Sequence, residues 1–273
     1  MNYKKIITHE GIFHADEVLA IAYLRSIRIV THETPIERRN RASITADEFT
    51  DPTILILDCG NQYDLENGNI DHHQDRALEA TNLLVLNHFT EDKKLVEKLT
   101  YSLFQYVSDI DRGVKSKIGE SAGFNSIISN FNGSDGGFER ALGVAETILT
   151  EYIRNAAMMI SSEELWKTLP RIHDGKVVVL KKGQWVLDWQ RLAQEEGVVL
   201  LIAPNQQAEG SWNLITRDSD FLSLSEHSAQ TFLHKAKFFA IYSSYESVIE
   251  HAFDLVRDVK EFVVGSKKPM PKA

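Results

Sequence analysis

The chain has 273 residues, room for one or two domains of ordinary size. Hydrophobic residues make up 43% and charged residues 25%, a globular balance that excludes a disordered or fibrous chain. Thirty Lys and Arg stand against 39 Asp and Glu, a formal net charge of −9, so there is no overall basic footprint for gripping long nucleic acid. In chain order, Tyr3 to Thr8 reads as a short strand that stops at His9, Glu10 and Gly11. Val18, Leu19, Ala22 and Tyr23 then recur at helical spacing, which predicts a helix starting near Asp16. Ile54 to Leu57 is a continuous apolar run ending at Asp58, Cys59 and Gly60. Such a run suits a strand buried on both faces of a parallel sheet. Leu95, Leu99, Leu103 and Ile110 mark a further helix ending at Gly113. Gly133, Gly136 and Gly137 make a loop, and a long helix follows with Leu142, Ala145, Leu149 and Ile153 on one side.

Pro170 to Gly175 reads as the domain boundary. Beyond it, strands are predicted over Val177–Leu180, Val198–Ala203, Ser211–Thr216 and Lys237–Tyr242, with a helix over Leu187–Glu196. Ser243 or Ser244 would cap a last helix carrying Val248, Ile249, Ala252 and Phe253. The expected class is α/β, an open, mainly parallel sheet with flanking helices, followed by a smaller α+β domain. The domains expected are 1–170 and 176–265, with a mobile tail over 266–273. Cys59 is the only cysteine. It excludes an internal disulfide framework and a cysteine-rich zinc site, and it fits a reducing compartment. No apolar run approaches the ~20 residues that cross a bilayer. Lys4 and Lys5 are followed only by Ile6 and Ile7 before Thr8, too little for a signal-peptide core. The expectation is a cytoplasmic protein with no membrane partner.

Four features carry chemistry. His9, His14 and Asp16 sit where the first strand hands over to the first helix. Asp58 ends the buried run, and Asp71-His72-His73 follows a short polar, hairpin-like stretch. Asp109 and Asp111 lie at the end of the Leu95–Ile110 helix. Ligands of open α/β sheets bind beyond the carboxyl ends of the strands, and imidazole with carboxylate at that edge suits divalent cations. Alone, Asp58 reads as a turn or cap residue, and Asp109 and Asp111 as solvated helix-end charges. His32, His88, His173, His227 and His251 show no partner pattern and read as structural or exposed. The order of the four features shifts the reading toward a metal site.

That order, His-x-x-x-x-His-x-Asp, then Asp, then Asp-His-His, then Asp, resembles the DHH phosphoesterase superfamily. Within it, the chain is most similar to the Myg-type family, named for melanocyte proliferating gene proteins. Thr8 to Glu17 resembles that family's opening block. Leu57-Asp58-Cys59-Gly60, Tyr63-Asp64 and Ile70 to Gln74 resemble its second and third blocks, and Ile110-Asp111-Arg112-Gly113 its fourth. Ile202 to Gln206, Trp212 and His234 are similar to pieces of its C-terminal domain. The Gly-Gly-Gly-His signature of many DHH C-terminal domains is absent.

The resemblance implies a two-metal hydrolase acting on a phosphate ester or anhydride, usually with Mn²⁺. It implies metal ligands at His9, His14, Asp16, Asp58, His72 and Asp111, with Asp58 and Asp16 as bridging carboxylates. Asp58, His72 and His73 would be catalytic, His73 touching substrate, and Asp71 would orient an imidazole. Apart from the resemblance, His234 beside Lys235 and Lys237, ahead of an apolar strand, reads either as a solvated strand end or as an edge of the second domain that holds substrate phosphate. Mixed imidazole and carboxylate ligands suit Mn²⁺ better than Mg²⁺, with Fe, Co or Zn as alternatives. The leading expectation is a phosphodiesterase that trims short single-stranded nucleic acid or nucleotides, leaning to 3′–5′ RNA exonuclease action. A pyrophosphatase-like hydrolase and a non-catalytic metal-stabilised binding protein are the alternatives.

Overall fold

The computed structural model describes residues 3–115, 123–257 and 259. The chain divides into two compact units, Met1–Ala157 and Met158–Ala273. The first contains a five-stranded sheet of order β2-β1-β3-β5-β4. β1 (Lys5–His9) pairs in parallel with β2 (Ile36–Arg39) on one side and with β3 (Ile54–Leu57) on the other. β4 (Tyr63–Asp64) and β5 (Asn69–Ile70) form the hairpin that adds to β3, β5 in parallel and β4 antiparallel at the edge. Every residue of β3 is buried, as a continuous apolar run in a covered parallel sheet requires.

The helices of this unit are α1 (Ala15–Ser26), α2 (Ala46–Phe49), α3 (Thr81–Phe89), α4 (Lys93–Leu99), α5 (Gln105–Asp111), α6 (Phe124–Ser129) and the first part of α7 (Gly137–Thr168). α1 is buried on all sides from Ala15 to Leu24, the signature of a helix at the centre of a core. It packs with Leu83, Phe104 and Leu142 in one apolar cluster. Two carboxylates, Asp16 and Glu17, sit in its buried first turn. That placement costs free energy unless the charges are neutralised. The single helix expected over Leu95–Ile110 is α4 and α5 joined by a π-helical stretch, Thr100–Phe104. Such stretches rotate the residues beyond them relative to a regular helix.

The second unit holds a six-stranded sheet of order β10-β11-β9-β8-β7-β6. Its strands are β6 (Arg171–Ile172), β7 (Val177–Val179), β8 (Leu200–Pro204), β9 (Trp212–Thr216), β10 (Gln230–Leu233) and β11 (Phe239–Tyr242). Among the described residues only β7 and β8 pair in parallel; the other pairings are antiparallel. Val177 and Val179 enter one apolar cluster and Val178 another, because successive strand residues face opposite sides. α8 (Trp189–Glu196) packs on the Val178 face and α9 (Tyr245–Arg257) on the Val177 face. The expected tail, 266–273, lies outside the described residues. No described helix is long and apolar enough to cross a membrane.

His251 of α9 is buried and locked in a polar chain. Gln230 Nε2 donates to the Tyr242 hydroxyl (2.9 Å), Tyr242 bonds His251 Nδ1, and His251 Nε2 lies 2.8 Å from Ser225 Oγ. With Gln230 supplying a proton to Tyr242, all partners are satisfied when Tyr242 donates to Nδ1 and Nε2–H donates to Ser225. That tautomer leaves no base facing Ser225, so the chain is a structural clamp rather than a nucleophile pair. Burial, then the nearby His227, pushes the His251 imidazole down to about 4. The unfolded chain therefore binds more protons between roughly pH 6.5 and 4, and stability from this clamp is lost as pH falls through that window. The loss expected is on the order of 2 kcal/mol. His251→Gln should remove this acid dependence from the melting of the second unit, and an unchanged pH profile would contradict the assignment.

Candidate metal centre

The site forms where β1, β3 and β5 end, at the carboxyl edge of the parallel strands. β3 stops because Asp58 turns into the left-handed region (φ 52°), followed by Gly60 at φ 126° and Asn61 at φ 53°. A non-glycine residue there is strained, and Asp tolerates it better than most. Gly60 has the further reason that a Cβ would meet the Phe49 ring at 2.8 Å. The turn directs a buried Asp58 carboxylate into a space shared with four histidines.

The two oxygens of Asp58 face different histidines. Oδ2 lies 3.5 Å from His9 Nε2. Oδ1 lies 3.4 Å from His72 Nε2 and 3.6 Å from His73 Nδ1, and accepts a 3.1 Å hydrogen bond from Thr81 Oγ1. Asp111 is similarly divided, with Oδ1 3.6 Å from His14 Nδ1 and Oδ2 3.1 Å from His72 Nε2. Asp16 Oδ2 lies 4.0 Å from His72 Nε2. Asp109 faces away into a hydrogen bond with Gln105 (2.9 Å) and an ion pair with Lys115 (2.9 Å). The structure thus brings together His9, His14, Asp16, Asp58, His72 and Asp111, all anticipated in the sequence. His234, Lys235 and Lys237 lie in the second unit, on the turn that joins β10 to β11.

Glu17 is an addition. Its Oε1 is 3.1 Å from His9 Nε2, and both its oxygens accept the His14 backbone N–H at 2.9 Å. The signal was available as the second of two adjacent carboxylates in the Asp16-Glu17 pair, but it reads equally as a helix-capping glutamate, which it also is. A second addition is a basic rim. A cavity of about 330 Å³ opens over His9, His14, Asp58 and His73, and Arg39 and Arg41 also line it. Arg39 is engaged by Glu37 and Glu48; Arg41 is exposed and unpaired among the described residues.

Electrostatics show what the cluster lacks. Burial pushes the Asp16 carboxyl well up, and the charges of Asp58, Asp111 and Glu17 push it further. Burial also raises Glu17. Asp58 is held below the usual carboxylate range because the His72 and His9 imidazoles outweigh its burial. His9 rises to about 10 beside Asp58 and Glu17. His72 rises to about 9, where Asp111 and Asp58 overcome its desolvation. The site therefore favours positive charge. Both Asp16 oxygens, Asp58 Oδ2, His9 Nε2 and His72 Nε2 are buried without a hydrogen-bond partner. Three sets of donor atoms have the spacing to hold a cation: His9, His14, Glu17 and Asp58; Asp58, His72 and His73; His14, Asp16 and Asp111. Orphaned carboxylate and imidazole atoms converging in this way fit divalent metal.

Residues 5–84 match the model MYG1_exonuc, described as an uncharacterised protein family, UPF0160. Over 71 residues the chain is 37% identical to the MYG1 protein of Chlamydia pneumoniae, and 32% identical to the MYG1 protein of Chlamydia trachomatis serovar D. Each match covers 26% of this chain and 22% of the relative's length. The resemblance to Myg-type proteins is borne out over this N-terminal stretch, which contains His9, His14, Asp16, Glu17, Asp58, His72 and His73 but not Asp111, His234, Lys235 or Lys237.

Proposed function

We propose that the chain is a divalent-metal-dependent phosphodiesterase of the DHH type that hydrolyses short single-stranded nucleic acid or nucleotides. The observation that carries this reading is the division of the Asp58 carboxylate, one oxygen toward His9 and the other toward His72 and His73. A carboxylate so placed would offer one oxygen to each of two cations. His9, His14, Asp16, Asp58, His72 and Asp111 would hold two ions, with Mn²⁺ the first choice for this donor set. Bound there, the ions would activate water and stabilise the attacking and leaving oxygens of an in-line displacement.

The remaining roles belong to the chain itself. Asp71 Oδ1 sits 2.7 Å from His73 Nδ1 and accepts the His73 backbone N–H at 3.1 Å. Its other oxygen takes the Asn61 N–H at 2.7 Å. Asp71 thereby fixes the ring plane and favours the imidazolium, and the His73 pKa is raised chiefly by Asp71. His73 is half exposed at the mouth of the cavity, so its Nε2–H is placed to donate to a phosphate oxygen or to the leaving group. Arg41 at the rim supplies an unpaired cation for a neighbouring phosphate. His234, Lys235 and Lys237 are proposed as further phosphate contacts.

Unequal effects follow for the adjacent histidines. His72→Ala should lower metal occupancy. His73→Ala should keep the metal and reduce turnover by about 10²–10⁴-fold. Elemental analysis with turnover of a short diester checks this, and metal loss in His73→Ala alone would reverse the two assignments.

Substrate length is the other consequence. A chain of charge −9 repels a long polyanion over most of its surface, so attraction is confined to the metals and a few cations. The slope of log affinity against log salt for single strands is about −0.7 per neutralised phosphate, so a slope of roughly −1 to −3 is expected. Labelled oligomers of increasing length, titrated at several salt concentrations, measure it. A slope that steepens beyond about six nucleotides would mean an extended groove and contradict the proposal.

A further inference from the structure

The second unit carries a cavity of its own, of about 500 Å³. Its location follows from the sheet. β7 and β8 are the only parallel pair there among the described residues, and the lining of the cavity includes residues that follow them: Leu180, Lys181 and Lys182 after β7, and Asn205 after β8. Small ligands of sheets with parallel strands settle beyond such carboxyl ends, and the volume lies in the range of small-molecule sites. Trp212, which opens β9, and Tyr245, which opens α9, form one wall, with ring centroids 4.5 Å apart and planes tilted by 48°. The Tyr245 ring is partly exposed, and Ile172 and Val179 line the same cavity. Two exposed lysines are part of the lining. Lys182 lies 3.6 Å from Glu209; Lys181 has no ion-pair partner among the described residues.

We propose that this cavity binds a nucleoside monophosphate, the base against the Trp212–Tyr245 wall and the phosphate at Lys181 and Lys182. The walls are apolar and aromatic, which suits the flat face of a heteroaromatic ring. Two lysines adjacent in sequence also line the cavity, Lys181 without an ion-pair partner among the described residues and Lys182 near Glu209, and a pair of ammonium groups matches a phosphate of charge near −2. A purely apolar ligand would leave Lys181 without a role, and a bare sugar phosphate would leave the aromatic wall uncovered. Every residue involved belongs to the second unit, so the proposal stands or falls separately from the metal centre.

The test is calorimetric titration of AMP, GMP, CMP and UMP into the full chain in excess chelator, so that no metal contributes. Saturable binding is expected, with adenosine weaker than AMP and ribose 5-phosphate weaker than both. Trp212→Leu should weaken AMP about 10- to 100-fold. Tyr245→Leu, at a more exposed position, provides the same reading should the tryptophan variant fail to fold. Lys181→Glu should weaken AMP about 10-fold or more while leaving adenosine unchanged. Absence of binding by every monophosphate up to about 5 mM, ribose 5-phosphate binding as tightly as AMP, or AMP affinity unmoved in folded Trp212→Leu and Tyr245→Leu would each overturn it.

Discussion

Asp16→Asn is expected to stabilise the metal-free protein while abolishing its response to Mn²⁺. Both oxygens of Asp16 are buried without a partner, and three further carboxylates press on it. Near pH 7 the metal-free site must either bear that repulsion or hold an extra proton, and either costs free energy. The folded pKa is raised above the ordinary 3.8, so the penalty is absent below that pH and grows as pH rises above it. A neutral amide of the same shape removes it. The expected gain is on the order of 1–3 kcal/mol, or a few degrees in melting temperature for the first unit. The wild-type protein should instead gain about 2.7 kcal/mol from metal at 100 times its dissociation constant, a rise of about 5–10 °C. Thermal melts in chelator and in Mn²⁺ give both numbers. A variant that melts lower than wild type in chelator and still responds fully to Mn²⁺ would remove Asp16 from the site.

Asp58→Asn is expected to reduce turnover by about 10³-fold or more, a loss of roughly 4 kcal/mol in transition-state stabilisation. Asparagine is the right probe because it tolerates the left-handed backbone of this turn (φ 52°) as aspartate does. It also retains an oxygen to accept the Thr81 hydrogen bond (3.1 Å). The fold should therefore persist while the bridge between the two histidine sets loses its charge. The effect should exceed that of His14→Ala, because His14 contributes from one side only and its side chain is nearly half exposed. Turnover of a short diester at saturating Mn²⁺ separates the two. Comparable rates in wild type and Asp58→Asn would mean that Asp58 is a turn residue alone.

What the sequence revealed and hid follows from the range of the forces involved. β3 was legible to the residue because its four apolar side chains in a row, stopped at once by Asp58, Cys59 and Gly60, suit a short strand covered on both faces, and the residue after it then falls at the ligand edge. α1 was legible from its spacing. β2 was not, since Ile36 is the sole apolar residue in Ile36–Arg39 and the strand exists through its pairing with β1. Arg39 and Arg41, carried by and just beyond that strand, were consequently missed at the cavity rim. β10 was hidden likewise, with Phe232 exposed and the strand defined by β11. The choice between Asp109 and Asp111 could not be read from spacing, because the intervening π-helical stretch, Thr100–Phe104, alters the helical register ahead of both. Glu17 was masked by its second role as a cap.

The central claim is that this cluster of buried carboxylates and imidazoles holds two divalent ions that share Asp58. Anomalous diffraction at the manganese edge, on crystals grown with Mn²⁺, tests it most directly. Two anomalous peaks in the first unit are expected, both in contact with Asp58, one beside His9 and the other beside His72. No peak at the cluster, or a single peak that leaves Asp58 uncoordinated, would contradict the account.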